Sequence, residues 1–178
     1  MLLEMGVASA AGLVGGAWLV RRSRVPLQPQ QQRSYSLGVV VTGSTRGLGL
    51  AMAEEFVRLG DSVVVSGRHA ASVDAARHSL LPLATAEGQQ VVGCVCDVSS
   101  ASACTELART AQASLGRVDL WVNNAGTTQH PKQPLASTPA SVVEEVVTTN
   151  LLGTIFGCRA AINVRETALL PTAGCALA

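Results

Sequence analysis

The stretch "VVVTGSTRGLG", residues 39 to 49, runs three valines into three glycines spaced G-x-x-x-G-x-G, and no other feature of the chain restricts its fold as much. Consecutive β-branched residues favour a strand buried on both faces. Glycines directly behind such a strand let the backbone turn sharply where a side chain would obstruct it. Leu48, Met52, Phe56 and Leu59 then recur at helical spacing as far as Gly60, a natural helix stop. Strand, glycine turn and helix together make the first half of a βαβ unit.

The same alternation continues downstream. Ser62 to Ser66 reads as a second strand and Ala71 to Leu80 as a helix; Gln90 to Cys96 reads as a third strand. Cys104, Leu107, Ala108, Ala111 and Leu115 share one face of a helix that ends at Gly116, and Val118 to Val122 is a fourth strand. "STPAS", residues 137 to 141, offers a Ser or Thr cap with Pro139 in the first turn of a long helix running through Thr149 toward Cys158. This order predicts an α/β fold, a Rossmann-type doubly wound parallel sheet with right-handed crossovers. The predicted strand order is 3-2-1-4, and the fold is the N-terminal portion of such a sheet.

With 178 residues, 48% of them hydrophobic, the chain can bury one substantial core but not two. The expected divisions are a membrane or targeting segment at 1–24, a linker at 25–36, a nucleotide-binding domain at 37–164 and a tail at 165–178. Residues 6 to 20 are uncharged and Arg21, Arg22 and Arg24 follow them. As a helix these fifteen residues span roughly 22 Å, short of a bilayer core of about 30 Å unless Leu2 and Leu3 are added across Glu4. Three readings stand for this segment: a membrane anchor through residues 2–24, an organelle-targeting sequence, and an ordinary buried helix. "VPLQPQQQRSYS", residues 25 to 36, has linker composition. A net charge of +1 and 3% aromatic residues argue against a nucleic-acid partner. Cys94, Cys96, Cys104, Cys158 and Cys175 lack paired C-x-x-C spacing, so no metal site or disulfide framework is expected, only reduced and mostly buried thiols. Cys94 and Cys96, two apart, would share a strand face.

A glycine turn between a strand and a helix presents backbone N–H groups and the positive helix end to a pyrophosphate. Gly43, Gly47 and Gly49 occupy those positions. Sites that read NAD place a carboxylate at the end of the second strand for the ribose 2′-hydroxyl. Here Ser66, Gly67 and Arg68 stand there, and Arg68 with Arg46 could pair with a 2′-phosphate. The cofactor expected is therefore NADP(H).

"TGSTRGLG" (42 to 49), "CDV" (96 to 98), "NNAG" (123 to 126) and "TTNLLG" (148 to 153) resemble, in order and spacing, the motifs of the short-chain dehydrogenase/reductase family. The resemblance runs from about Leu37 to about Asn163. Within the family, "VVVTGSTRGLG", "LWVNNAGTT" and "TTNLLGTIFGCRAAI" look most like the chlorophyll b reductases, enzymes of the chloroplast that reduce a formyl group to a hydroxymethyl. The resemblance implies an oxidoreductase of a small carbonyl substrate, with chlorophyll b as the candidate, and a place at the thylakoid membrane. It implies that Gly43, Ser44, Thr45, Arg46, Gly47, Leu48 and Gly49 surround the pyrophosphate and that Arg68 meets the 2′-phosphate. Asp97 and Val98 would contact the adenine, Asn124, Ala125 and Gly126 the ribose, and Asn150 would hold a proton-relay water.

In this family a tyrosine donates the proton, a lysine four residues later lowers its pKa, and a serine positions the substrate oxygen, all after the asparagine. The chain's single tyrosine is Tyr35 and its single lysine Lys132, both before Asn150, so no Y-x-x-x-K occurs. Tyr35 precedes the first strand, about 16 Å from the edge where the cofactor would bind. Of the family's catalytic tetrad only Asn150 is present, and "RETALLPTAGCALA", residues 165 to 178, does not resemble the family. The expectation is a truncated reductase, inactive as it stands. The alternatives are a non-catalytic NADP-binding or assembly subunit, in a homo- or hetero-oligomer with an intact reductase, or an inert fragment. The strand 118 to 122 would form an open apolar edge.

Overall fold

The computed structural model describes residues 35–129 and 131–169, with side chains described as far as 164; the apolar segment, most of the linker and Cys175 lie outside them. The described residues belong to one compact unit that begins at Ser34. Four strands, β1 (Gly38–Val41), β2 (Ser62–Gly67), β3 (Val91–Val95) and β4 (Leu120–Val122), form one parallel sheet in the order β3-β2-β1-β4. Helices α1 (Gly47–Arg58), α2 (Ala70–Leu80) and α3 (Ala101–Leu115) connect them. Strand order and helix alternation match the expectation; β4 is shorter than expected, starting at Leu120, with Asp119 just before it still bonded to Gly38 through its N–H and its carboxylate.

The valine runs explain why the sheet lies in the middle. Val39, Val41, Val63 and Val65 point to one face and pack with Ala53 and Val57 of α1 and Val73 and Leu80 of α2. Val40 and Val64 point to the other face, where Cys96, Cys104, Leu107, Ala108 and Ala111 of the α3 side meet Ala160. Every valine of β1 is fully buried. Such a strand has no polar face to give to water, which is why it reads as a continuous apolar run. Cys94 and Cys96 do pack on the same face.

Gly116 ends α3 in the left-handed conformation at φ 72°, and Gly60 follows α1 at φ 87°, as the helix stops required. Ser100 caps α3 by accepting from the Ala103 N–H.

The last helical stretch differs from the expectation. Pro139, not a Ser or Thr, occupies the cap position of α4 (Ala140–Val147), with no side-chain cap bond; Ser137 closes a short 3₁₀ turn (Leu135–Ser137) instead, and the Thr138 hydroxyl donates to the Pro134 carbonyl. Pro139 has no N–H to satisfy, and its carbonyl accepts from Val142 at 3.0 Å. The helix is also not uniform: residues Thr148–Leu152 form a π-helical segment before α5 (Gly153–Leu169) resumes. α5 lies close against β4, since a Cβ on Gly157 would collide with the Asn123 Oδ1.

Candidate cofactor cleft

The carboxyl ends of the strands open into a cleft of about 630 Å³. It is built from the turn after β1, the residues after β2 and β3, the Asn124–Thr127 segment after β4, and Thr149. Of the residues expected around a dinucleotide, Gly43, Thr45, Arg46, Gly47, Leu48, Gly49, Arg68, Asp97, Val98, Asn124, Ala125 and Gly126 all line it. Residues up to 83 positions apart thus converge on one surface, because parallel strands deliver all their carboxyl ends to the same side.

Thr42, buried at the end of β1, organises the floor. Its hydroxyl accepts from the N–H groups of Asn124 and Ala125, both at 3.0 Å, and donates to the Val122 carbonyl. Asn124 returns the connection: its Nδ2 donates to the carbonyls of Thr42 and Gly43. The turn after β1 and the loop after β4 are thereby locked together. Gly43 sits at φ 64° with Ala125 so near that a Cβ would fall 2.7 Å from the Ala125 Cα. Gly49 likewise has no room for a Cβ beside Asn124, Gly43 and Ser44. Gly47, at φ 57°, faces open space, the condition for a ligand to approach the backbone.

Two expected residues do not line the cleft. Ser44 is buried beneath the turn, where its hydroxyl donates to the Val41 carbonyl at 2.6 Å and accepts from the Ser66 N–H at 2.9 Å. That side chain braces β1 against β2, and the Ser44 N–H donates to the Ser66 carbonyl at 2.9 Å, so the residue supports the turn from beneath and leaves no donor for a pyrophosphate. Asn150 stands in the π segment, and its amide pairs with the Thr127 backbone in both directions: Oδ1 accepts from the N–H at 2.8 Å and Nδ2 donates to the carbonyl at 2.9 Å. Its side chain therefore fixes the end of the loop that Gly126 opens.

At the far end, the Asp97 Oδ1 accepts from the N–H and hydroxyl of Ser99. Partial burial pushes the Asp97 pKa up, but these bonds and the Arg68 charge outweigh it and leave the carboxyl below its ordinary value. Cys96 lines the cleft as well, yet burial, with Cys104 beside it, pushes its thiol up to about 12, so it is neutral and unreactive at ordinary pH. Cys158 is exposed and Cys94 half-buried, which corrects the expectation that the thiols are mostly buried. Gly67, His69, Ser72, Thr127 and Thr149 also line the cleft and were not expected there. Only Gly67 had a signal in the sequence, its place at the end of the second strand; a Cβ on it would press into Thr45.

The site can be tested for a dinucleotide on its own geometry. α1 starts in the cleft with no side-chain cap, leaving its first-turn N–H groups to a ligand. Open space at Gly47, two arginines, and no carboxylate at the end of β2 complete a set of donors that fits a phosphorylated dinucleotide.

The short chain dehydrogenase family profile matches residues 38–167. The chain belongs to the short-chain dehydrogenase family. Its relatives include "Chlorophyll(ide) b reductase NOL, chloroplastic" of Oryza sativa subsp. japonica, 36% identical over 160 residues, covering 89% of this chain and 43% of the relative. The protein of the same name in Arabidopsis thaliana is 40% identical over 129 residues, covering 72% and 36%. The chain therefore spans well under half the length of these curated relatives. Among solved structures, a metagenomic short-chain oxidoreductase in complex with NADP superposes with a TM-score of 0.64 at 29% identity, covering 75% of this chain and 59% of that one. A short chain dehydrogenase/reductase from Burkholderia phymatum in complex with NAD gives 0.66 at 27%, covering 72% and 44%. Both cofactors thus occur among the neighbours of this short-chain dehydrogenase fold.

Proposed function

We propose that this chain is the NADP-binding part of a carbonyl reductase of the chlorophyll b reductase type. The observation that carries the reading is the cleft itself: an uncapped helix end and an open Gly47 beside Arg46 and Arg68, with no carboxylate at the end of β2. A bound NADPH would supply hydride to the substrate carbonyl. The first turn of α1 would hold the pyrophosphate, Arg68 and Arg46 the 2′-phosphate, Asp97 and Val98 the adenine, and the Asn124–Gly126 backbone the ribose.

Asn150 holds the Thr127 end of the cleft through its side chain, and in the family's manner it would anchor a relay water. Tyr35 is exposed and adds to the charge environment of Arg117, at the amino end of the sheet, so it stands far from the carbonyl. Lys132 lies in the loop before α4. Among the described residues neither Tyr35 nor Lys132 is thus placed to donate a proton beside the hydride, and a reductase without a positioned general acid loses ~10² to 10⁴ in rate. The reading is of the cofactor-binding part of a reductase, in a chloroplast, as the relatives' names suggest for the compartment, and at a membrane.

Fluorescence titration of the purified 178-residue chain should show saturable NADPH binding, followed by no reduction of chlorophyll b or of a simple aldehyde. Absence of binding would remove the cofactor reading. Turnover comparable to an intact family member would remove the requirement for the tyrosine.

A further inference from the structure

Another hollow, of about 260 Å³, is built from α4 and from the loop that follows the cofactor cleft. On the α4 side Val142, Val143, Val146 and Val147 line it, and on the loop side Leu135 does. Val142 pairs with Val146 and Val143 with Val147 at one-turn spacing, which makes an apolar stripe roughly 8 Å long at the helical rise. No charged side chain among the described residues lines the hollow, since Lys132, Glu144 and Glu145 of the same two segments lie outside it. The Thr138 hydroxyl shares its proton between the Gln129 Oε1 at 3.2 Å and the Pro134 carbonyl at 3.1 Å, so these polar groups of the lining are spent within the loop. Val143, Val147 and Leu135 stay exposed, and an apolar ligand would take that surface out of water.

Both walls of the hollow are continuous with the cofactor cleft. Thr127 lines the cleft, and the next residue, Thr128, lines the hollow. On the helical side Val146 and Val147 run directly into the π segment, where Thr149 lines the cleft and the Asn150 amide bonds to the Thr127 backbone. The Asn150–Thr127 pair therefore stands at the boundary between a polar cleft and an apolar hollow. A substrate whose carbonyl reaches that boundary has the valine stripe beside it.

Resting on the carbonyl-reductase reading above, we infer that this hollow is the subsite for an uncharged aliphatic chain carried by the substrate. The substrate class is then an amphipathic carbonyl compound, its polar head at the Asn150–Thr127 boundary and its apolar tail along α4. A tail ending in a carboxylate is rejected, because it would lose its hydration and meet no cation in the lining. Each methylene laid on the stripe adds apolar contact, so affinity grows with chain length until the hollow is full.

The test uses primary alcohols, which have the form of a reduction product: butanol, hexanol and octanol. Each is titrated into the full chain, with isotope-labelled methyl groups on valine, leucine and isoleucine, in the presence of NADP, and followed by NMR. The methyl signals of the four valines and Leu135 should shift together with the Thr127 amide, and affinity should rise about two- to fourfold per added methylene. Leu151 and Ile155, exposed elsewhere on the same helical stretch, should hold their positions. Val143→Glu should abolish the dependence on chain length, whereas Val143→Leu and Ile155→Glu should keep it, with circular dichroism verifying each fold. Shifts that spread over Leu151 and Ile155, or shifts in the hollow without the Thr127 amide, overturn the inference. If the alcohols bind as expected but NADPH leaves the Gly47 and Arg68 amides unmoved, the reductase reading fails and the apolar site remains.

Discussion

At the scale of single residues, the cleft separates side chains that face a ligand from those that hold the frame. Arg68 belongs to the first group. Replacing it with alanine should weaken NADPH binding severalfold and leave NADH nearly unchanged, as measured by paired titrations; equal losses for both would refute a 2′-phosphate role. Thr42 belongs to the second group. Thr42→Val removes the acceptor for two N–H groups, Asn124 and Ala125, and should cost about 1–3 kcal/mol in urea denaturation, while Thr42→Ser should recover most of it. The thiols divide the same way. Cys158 should be alkylated by a maleimide well before Cys96 and Cys104, as peptide mass mapping would reveal, because Cys158 is exposed and the other two are buried with raised pKa values.

At the scale of elements, the junction between the β4 loop and the last helix carries the most information. The π segment places Asn150 where its amide closes a two-way bond with Thr127. An inserted residue of this kind is common at functional positions, because it re-aims one side chain without ending the helix. Asn150→Ala should free the 123–129 segment, seen as faster amide hydrogen exchange there with little change in β1 and β2. Gly157→Ala should be more damaging, since its Cβ has no room beside Asn123 and Trp121; a fall in the midpoint of thermal unfolding would register it.

Across the whole molecule, apolar surface is distributed unevenly. β1 and β2 are sealed between two helical layers, but Leu120 of β4 is partly exposed, and Val143, Val147, Leu151, Ile155 and Ile162 of the last helical stretch are exposed. Such surface is expensive to leave in water. Val147→Glu together with Ile155→Glu should reduce binding of an apolar dye and increase solubility, with no loss of NADPH affinity, because neither residue lines the cleft.

Much of this arrangement was legible in the chain itself. The valine runs, the glycine spacing and the helical periods determine four parallel strands in the order 3-2-1-4, because a strand buried on both faces and a crossover of one hand leave few topologies. The same local signals marked Gly43, Gly47, Gly49 and Arg68, whose roles depend on their place at a strand end. What only the tertiary structure decided are the contacts between segments distant in sequence. Thr42 reads as part of a motif until its hydroxyl meets a loop 82 residues away. Ser44 reads as a pyrophosphate contact until its side chain turns under the turn to brace β2. His69 and Ser72 have no motif and join the cleft only because α2 starts beside Arg68. Periodicity and glycine spacing report the conformation of neighbouring residues, whereas hydrogen-bond partners across a sheet depend on register and approach, which exist only once the chain has folded.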